Sequence, residues 1–321
     1  MMTVKKILNK LNGLHYRQEY LCFAKGSYTQ PLNAYLVNDK RIIKDITNQH
    51  LFVGYRPLIF AFPSDPVLKE SLQIIFSQDV LLPNEFFSKK DALAFLDLKI
   101  IKKQSNDDSS IFYYEGTHGS HFFLSRFYQY INKINNRLFN KKAGNVYLHN
   151  NLYTLVQIAY AVPRNISLIT VSNAGLFNLF PTDLHGQVDA GHYIISLRSS
   201  GKACEQVEAA GRVLISQVNS GIYKTVYGLG KNHMQPLKQK ASFPFGQLLS
   251  NKLQWPLPEH AISYKELVLQ SSFIHGIHKI MLFKIVHQQQ IEAESTTLMH
   301  IHNTYATWRY KNKLPGNYLL R

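Results

Sequence analysis

Cysteine is scarce in this chain. Cys22 and Cys204 are its two thiols, and they form no CxxC pair, so neither a disulfide framework nor a thiolate zinc site can be built from them and reduced thiols are expected. Long apolar runs are missing too: the best candidate, Leu51 to Phe62, carries Arg56 and Pro57 and falls short of the roughly 18 apolar residues that span a bilayer as a helix. The opening MMTVKKILNKLNGLHYRQEY has basic residues but no apolar stretch followed by a small-residue cleavage site, so no membrane association and a cytoplasmic location are the expectations. GxGxxG, Walker, HExxH and EF-hand patterns are all absent, which removes the sharpest signals of several other enzyme classes.

Acidic residues are outnumbered, 20 against 36 Lys and Arg, for a net charge of +16. An excess of that size raises the question of a nucleic-acid partner. Its distribution argues against one, because residues 1–150 and 151–321 each carry a net +8 (20−12 and 16−8) with no basic block or tail. A diffuse positive field instead favours small anions such as nucleotide cofactors. What the 321 residues do have is 45% apolar side chains and 12% aromatics, enough for two domains with real cores and incompatible with disorder.

Along the first half, LFVGYRPLIFAFP (51–63) reads as a buried strand. Ser88 to Lys103 reads as a helix, opened by Ser88 and Asp91 and closed by lysines. Ser120 to Leu138 reads as a second helix with Phe122, Phe123, Phe127, Ile131 and Ile134 on one face. The polar NKKAGN stretch (140–145) marks a domain boundary, leaving an N-terminal α+β domain (1–145) of unknown fold and role; no internal repeat is visible. From Val146 the pattern changes to short β-like runs, LVQIAYAV, SLITVSN, HYIISLRSS, VLISQVN, IHKIMLFKIVHQQ and LMHIHNTYATW, around one strong helix, ACEQVEAA, stopped by Gly211. Many short strands around few helices predict a barrel, and the fold class is mostly β with an α+β N-terminal part.

The informative region is residues 163–218. A strand ends near Thr170 and Ser172, a turn follows, and Asn178, Thr182 and Asp183 then stand among aromatic residues. A second strand runs into Arg198, Ser199, Ser200, Gly201 and Lys202 immediately before the helix. Free backbone N–H groups at a helix start, the helix dipole and two cations make that junction suited to a phosphate. The bland alternative is a solvated helix start with exposed Arg and Lys.

The run PRNISLITVS, a turn with Asn178, HYIISLRSS, SGKACE and the Gly211-terminated helix leading into VLISQV resembles the flavin reductase-like, FMN-binding split-barrel family, including flavoredoxins, over residues 146–321. The resemblance implies a C-terminal FMN-binding split barrel, a homodimer with FMN near the subunit interface, and NAD(P)H as hydride donor. It implies that Thr170, Ser172 and Asn178 border the ring and ribityl chain, continued by Phe180, Pro181, Thr182 and Asp183. Arg198, Ser199, Ser200 and Lys202 would hold the phosphate, and His278, in the counterpart of a Gly-Asp-His signature, would face the flavin as the catalytic residue. Three departures stand out: Cys204 in place of a phosphate-side Thr, bulky Leu179 and Phe180 beside the Asn, and Ile277 in place of the acidic residue. They weigh on turnover more than on FMN binding. A non-reductase electron carrier or flavin-binding module, and a basic scaffold whose barrel has lost its cofactor, are the alternatives.

Fourteen histidines include the close pairs His118/His121, His185/His192, His275/His278 and His300/His302. None has a third ligand nearby in sequence, so they read as core or surface imidazoles rather than a metal site. The turn Gly228 to His233 is a further candidate for approaching the ligand, and Cys204 reads as a buried, inert thiol.

Overall fold

The computed structural model describes residues 13–87, 91–105, 110–139, 147–149, 151–293, 295–314 and 316–319. Two seven-stranded antiparallel sheets dominate it. The strands of the N-terminal sheet are, in chain order, Asn33–Asn38, Arg41–Asp45, Leu51–Tyr55, Leu58–Pro63, Ser71–Ser77, Ala94–Ser105 and Ser110–His121. Those of the C-terminal sheet are Ser167–Asn173, Leu176–Thr182, His185–Gln187, His192–Arg198, Arg212–Val218, Ala261–His275 and His278–Gln290.

Both sheets lay their strands side by side in the same order: second, first, fifth, sixth, seventh, fourth, third. Each is built around a long hairpin of its sixth and seventh strands. The chain is thus a topological duplication, although its sequence shows no repeat.

Each sheet must curl. The second and third strands lie at opposite edges, which in a flat seven-stranded sheet would be roughly 29 Å apart at about 4.8 Å per strand. In the C-terminal sheet Asp183 and Leu184 alone join these edges, a link of at most roughly 11 Å. Residues 46–50 impose the same constraint on the N-terminal sheet, with a reach of at most roughly 23 Å. The C-terminal sheet is therefore rolled into a barrel, and a second rolled sheet occupies residues 33–121 of the N-terminal part, with the helix Arg126–Phe139 following it.

The inner strands of both barrels are apolar on both faces, as strands buried on two sides must be. In the fourth C-terminal strand, Tyr193, Ile195 and Leu197 enter their own barrel core with Met281 and Phe283, while Ile194 joins Ile280 and Leu282 facing the other half. The N-terminal half mirrors this. Phe60, Phe62 and Tyr114 are in its core, and Ile59, Ala61, Ile111 and Tyr113 meet Ile194, Ile280 and Leu282. The third strands touch as well: a Cβ on Gly186 would lie 2.4 Å from the Leu51 side chain. A small four-stranded sheet of Tyr318–Leu319, Tyr20–Ala24, Leu298–His302 and Arg164–Asn165 ties the beginning, middle and end of the chain together.

Several local expectations change. Ser88 to Lys103 is not a helix where it is described: Ala94–Ser105 is a strand, with Ala94, Leu96 and Leu98 buried at a period of two. Leu51 to Pro63 is two strands around a turn at Arg56 and Pro57. LVQIAYAV, read as a strand, begins inside the helix Leu152–Ala159, whose residues from Tyr153 on are buried on every side, and LMHIHNTYATW is a strand only over Leu298–His302, where His302 caps the helix Asn303–Lys311. The helix expected from Ser120 runs Arg126–Phe139, and Phe122, Phe127 and Ile134 are exposed. The boundary stretch 140–145 lies outside the described residues. No helix among the described residues is long and apolar enough to cross a membrane.

Candidate functional site

A pocket of about 360 Å³ opens where the C-terminal barrel meets the N-terminal half. One side is Ser196, Leu197 and Arg198 at the end of the fourth strand, with His278 opposite at the start of the seventh; Arg198 and His278 are register partners. Pro181, Thr182, Asp183 and Leu184 form a second wall, and Gly201, Ala203 and Cys204 at the start of the Lys202–Ala210 helix a third. Gly230, His233 and Met234, from the turns between the fifth and sixth strands, close the far side. Tyr55, from the N-terminal half, completes it.

The helix start is built as the sequence suggests. Gly201 is its N-cap in extended conformation, its N–H donating to the Arg198 carbonyl at 3.0 Å, and no side chain caps the helix, so its first N–H groups have no side-chain acceptor at the positive end of the dipole. At its other end Gly211 takes the left-handed conformation (φ 61°) and closes the helix through bonds to the Val207 and Glu208 carbonyls. Cys204 is buried, and burial pushes its thiol up to about 11, so it packs against the pocket as a neutral thiol. Neither cysteine is in a disulfide.

His278 is held tightly. The Tyr55 backbone N–H donates to its Nε2 at 3.2 Å, the Tyr55 ring meets it edge-on at 4.6 Å, and Ser196 Oγ lies 3.4 Å from Nδ1. Because Nε2 accepts, the ring proton is on Nδ1. Burial, with the Arg198 charge adding to it, lowers the His278 pKa to about 4, so the ring is neutral at pH 7. Position 277 is Ile and supplies no carboxylate; what holds the ring is a backbone donor from the other half, which favours its neutral form. Arg198 Nε in turn donates to the Tyr55 hydroxyl at 2.6 Å.

Asp183 is engaged away from the pocket. Tyr160 Oη and His300 Nε2 donate to its Oδ2 at 2.7 and 2.8 Å. Burial raises its pKa, but these bonds and the His300 charge outweigh that and hold it at about 2. His233 donates from Nε2 to the Pro181 carbonyl at 2.8 Å and rests on the Phe180 ring at 4.8 Å, which fixes the far wall.

Of the residues nominated from sequence, Pro181, Thr182, Asp183, Arg198 and His278 line the pocket. Asn178 does not; it is buried and supports the site, donating to Gln206 Oε1 (2.7 Å) on the helix and to the Asn232 carbonyl (3.0 Å). Phe180 is in the barrel core, Thr170 is fully buried between neighbouring strands, and Ser172 lies near the far end of its strand. Ser199 bonds the Ile277 carbonyl through its N–H and its hydroxyl (2.9 and 3.3 Å), while Ser200 and Lys202 are exposed at the helix start, outside the lining. Tyr55, Cys204 and Met234 are pocket residues the site prediction left out. Gly230 and His233, in the turn singled out as a further candidate, are brought in.

The histidine pairs resolve individually. His300 serves Asp183, His302 caps the Asn303–Lys311 helix, His275 pairs with Glu115 at 2.6 Å, and His192 with Asp189 at 2.9 Å. Among the described residues no three His, Cys, Asp or Glu side chains gather as a metal site.

No protein-family model and no curated protein matches the chain. Solved structures similar to it include an NADH:FAD oxidoreductase from Streptomyces globisporus C-1027, at 15% identity, TM-score 0.41, covering 47% of this chain and 89% of that one. Others are an FMN-binding protein from Thermus thermophilus with bound p-hydroxybenzaldehyde (19% identity, TM-score 0.38, 43% and 81% covered) and BorF, the flavin reductase component of a bacterial two-component tryptophan halogenase (13% identity, TM-score 0.41, 47% and 94% covered). At such identities and scores these likenesses do not assign a function.

Proposed function

We propose that the chain is an FMN-binding flavoprotein of the flavin reductase type, accepting hydride from NAD(P)H. The observation that carries this reading is the uncapped start of the Lys202–Ala210 helix beside Arg198, opening into a pocket with apolar walls, in a sequence stretch that resembles the flavin reductase-like family. The donor set fits a flavin mononucleotide. Backbone N–H groups at the helix start and the Arg198 guanidinium suit the phosphate, with Lys202 adding charge from the exposed first turn. Leu197, Ala203, Pro181 and Met234 offer apolar surface to a ring.

A bound flavin supplies the hydride and electron chemistry itself. The protein's part is to bind and orient it and to exclude water. His278 remains neutral and holds Tyr55 in place rather than exchanging protons near pH 7. A flavin-binding electron carrier without NAD(P)H turnover is the second reading. It is favoured by the modest cavity, which is near the lower end of ordinary ligand sites and leaves little room for a second nucleotide.

The phosphate assignment predicts that replacing Arg198 and Lys202 together with Ala weakens FMN by about tenfold or more while riboflavin, which has no phosphate, loses much less. Fluorescence titration of both ligands measures this. Equal losses for the two would remove Arg198 and Lys202 from the phosphate site.

A further inference from the structure

The two barrels share one strand order, and they meet through the same strands of each: the third, fourth and seventh. That is the pattern of an isologous two-fold interface, here inside one polypeptide. Each half could therefore present the same pocket to the other. Among the described residues only one of the two is furnished for it.

The pocket of the C-terminal barrel takes two walls from connections between strands. Residues 199–211, between the fourth and fifth strands, carry the Lys202–Ala210 helix, and residues 219–260, between the fifth and sixth, carry Gly230, His233 and Met234. The matching connections of the N-terminal barrel are residues 64–70 and 78–93. The first holds no helix. In its place Asp65 accepts the Val67 backbone N–H at 3.0 Å and pairs with Lys44 of the second strand. Where the C-terminal half offers donors to an anion, the N-terminal half holds a carboxylate of its own, and Pro63 ends the fourth strand where Arg198 does in the other barrel.

In return, the N-terminal half gives the C-terminal site what a neighbouring subunit would. The Tyr55–Arg56–Pro57 turn is keyed onto the hairpin that begins the seventh strand: the Ile277 N–H donates to the Arg56 carbonyl at 3.1 Å, and Gly276 lies so close that a Cβ would sit 2.3 Å from that oxygen. Tyr55 then reaches Arg198 and His278 in the pocket.

We propose that the N-terminal barrel is a built-in partner that has lost its own ligand site: it completes the pocket of the C-terminal barrel through Tyr55, so one chain binds one flavin without a second copy. This rests on the flavin reading above.

The test is titration of the purified full chain with FMN by calorimetry, with mass measured by analytical ultracentrifugation across a dilution series. One FMN per chain, retained in a species of one-chain mass, is the expected result. Two FMN per chain, or binding only in a dimer and lost on dilution, would overturn the asymmetric pair while leaving flavin binding intact. No FMN bound at any concentration would overturn the flavin reading and this assignment with it. Tyr55→Ala is expected to weaken FMN by about tenfold, and Gln187→Ala, at the matching end of the C-terminal third strand, to leave it unchanged. Wild-type affinity in Tyr55→Ala would remove the N-terminal half from the site.

Discussion

His278 illustrates how one imidazole can be assigned to a site by pattern and then given its role by its neighbours. The resemblance of Gly276-Ile277-His278 to a family signature implies a residue facing the ligand, and His278 lines the pocket. What spacing cannot convey is that a backbone N–H from residue 55 occupies Nε2, because that donor comes from the other barrel. The same burial acts on three more rings: His50, His121 and His185, like His278, are pushed down to about 4 by desolvation. An unfolded chain protonates these histidines from about pH 6.5 downward, whereas the folded chain resists until about pH 4. Their contribution to stability is therefore fully present above about pH 6.5 and is lost progressively as the pH falls to about 4. Asp183, held at about 2, adds a further loss below about pH 4, where its unfolded counterpart protonates. Calorimetry should show the melting temperature falling steadily from pH 6.5 to 4.5, and a flat or rising profile there would contradict the neutral-histidine assignment.

At the scale of elements, the legible features were those whose physics is local. The strands Ser167–Asn173 and His192–Arg198, the helix after Ser200 and its Gly211 stop all follow from alternation, apolar runs and a left-handed glycine. Ala94–Ser105 reads as a helix in sequence because a Ser and an Asp preceding an apolar run that ends in lysines fit a helix start and stop. The burial of Ala94, Leu96 and Leu98 between flanking strands decides for the sheet, since propensity is a weak prior against tertiary pairing. The turn at Gly276 carries a sharper requirement. Its φ of +59° and its contact with the Arg56 backbone leave no room for a methyl group, and backbone cannot rotate aside as a side chain can. Gly276→Ala should destabilise the chain by about 1–3 kcal/mol, read from denaturant midpoints, and wild-type stability would mean that the two halves are not keyed together at this turn.

For the whole molecule, the duplication was illegible in the sequence for a physical reason. Strands buried on both faces accept any apolar residue of suitable volume, so LIFAFP and HYIISLR can hold the same place in two barrels without sharing a motif. The candidate site was legible in its C-terminal part, where strand, Arg198 and helix start are contiguous, and illegible in Tyr55, which sequence separates from Arg198 and folding brings to 2.6 Å. Asn178 shows the intermediate case: the pattern singled it out, and it acts through Gln206 and Asn232 rather than at the pocket wall.

The visible absorption spectrum of the purified chain, taken after saturation with FMN and removal of free flavin by gel filtration, tests the central claim most directly. Flavin absorbance that co-elutes with the protein in wild type, and is strongly reduced in the Arg198→Ala, Lys202→Ala double variant, is the predicted result. A colourless wild-type protein would contradict it.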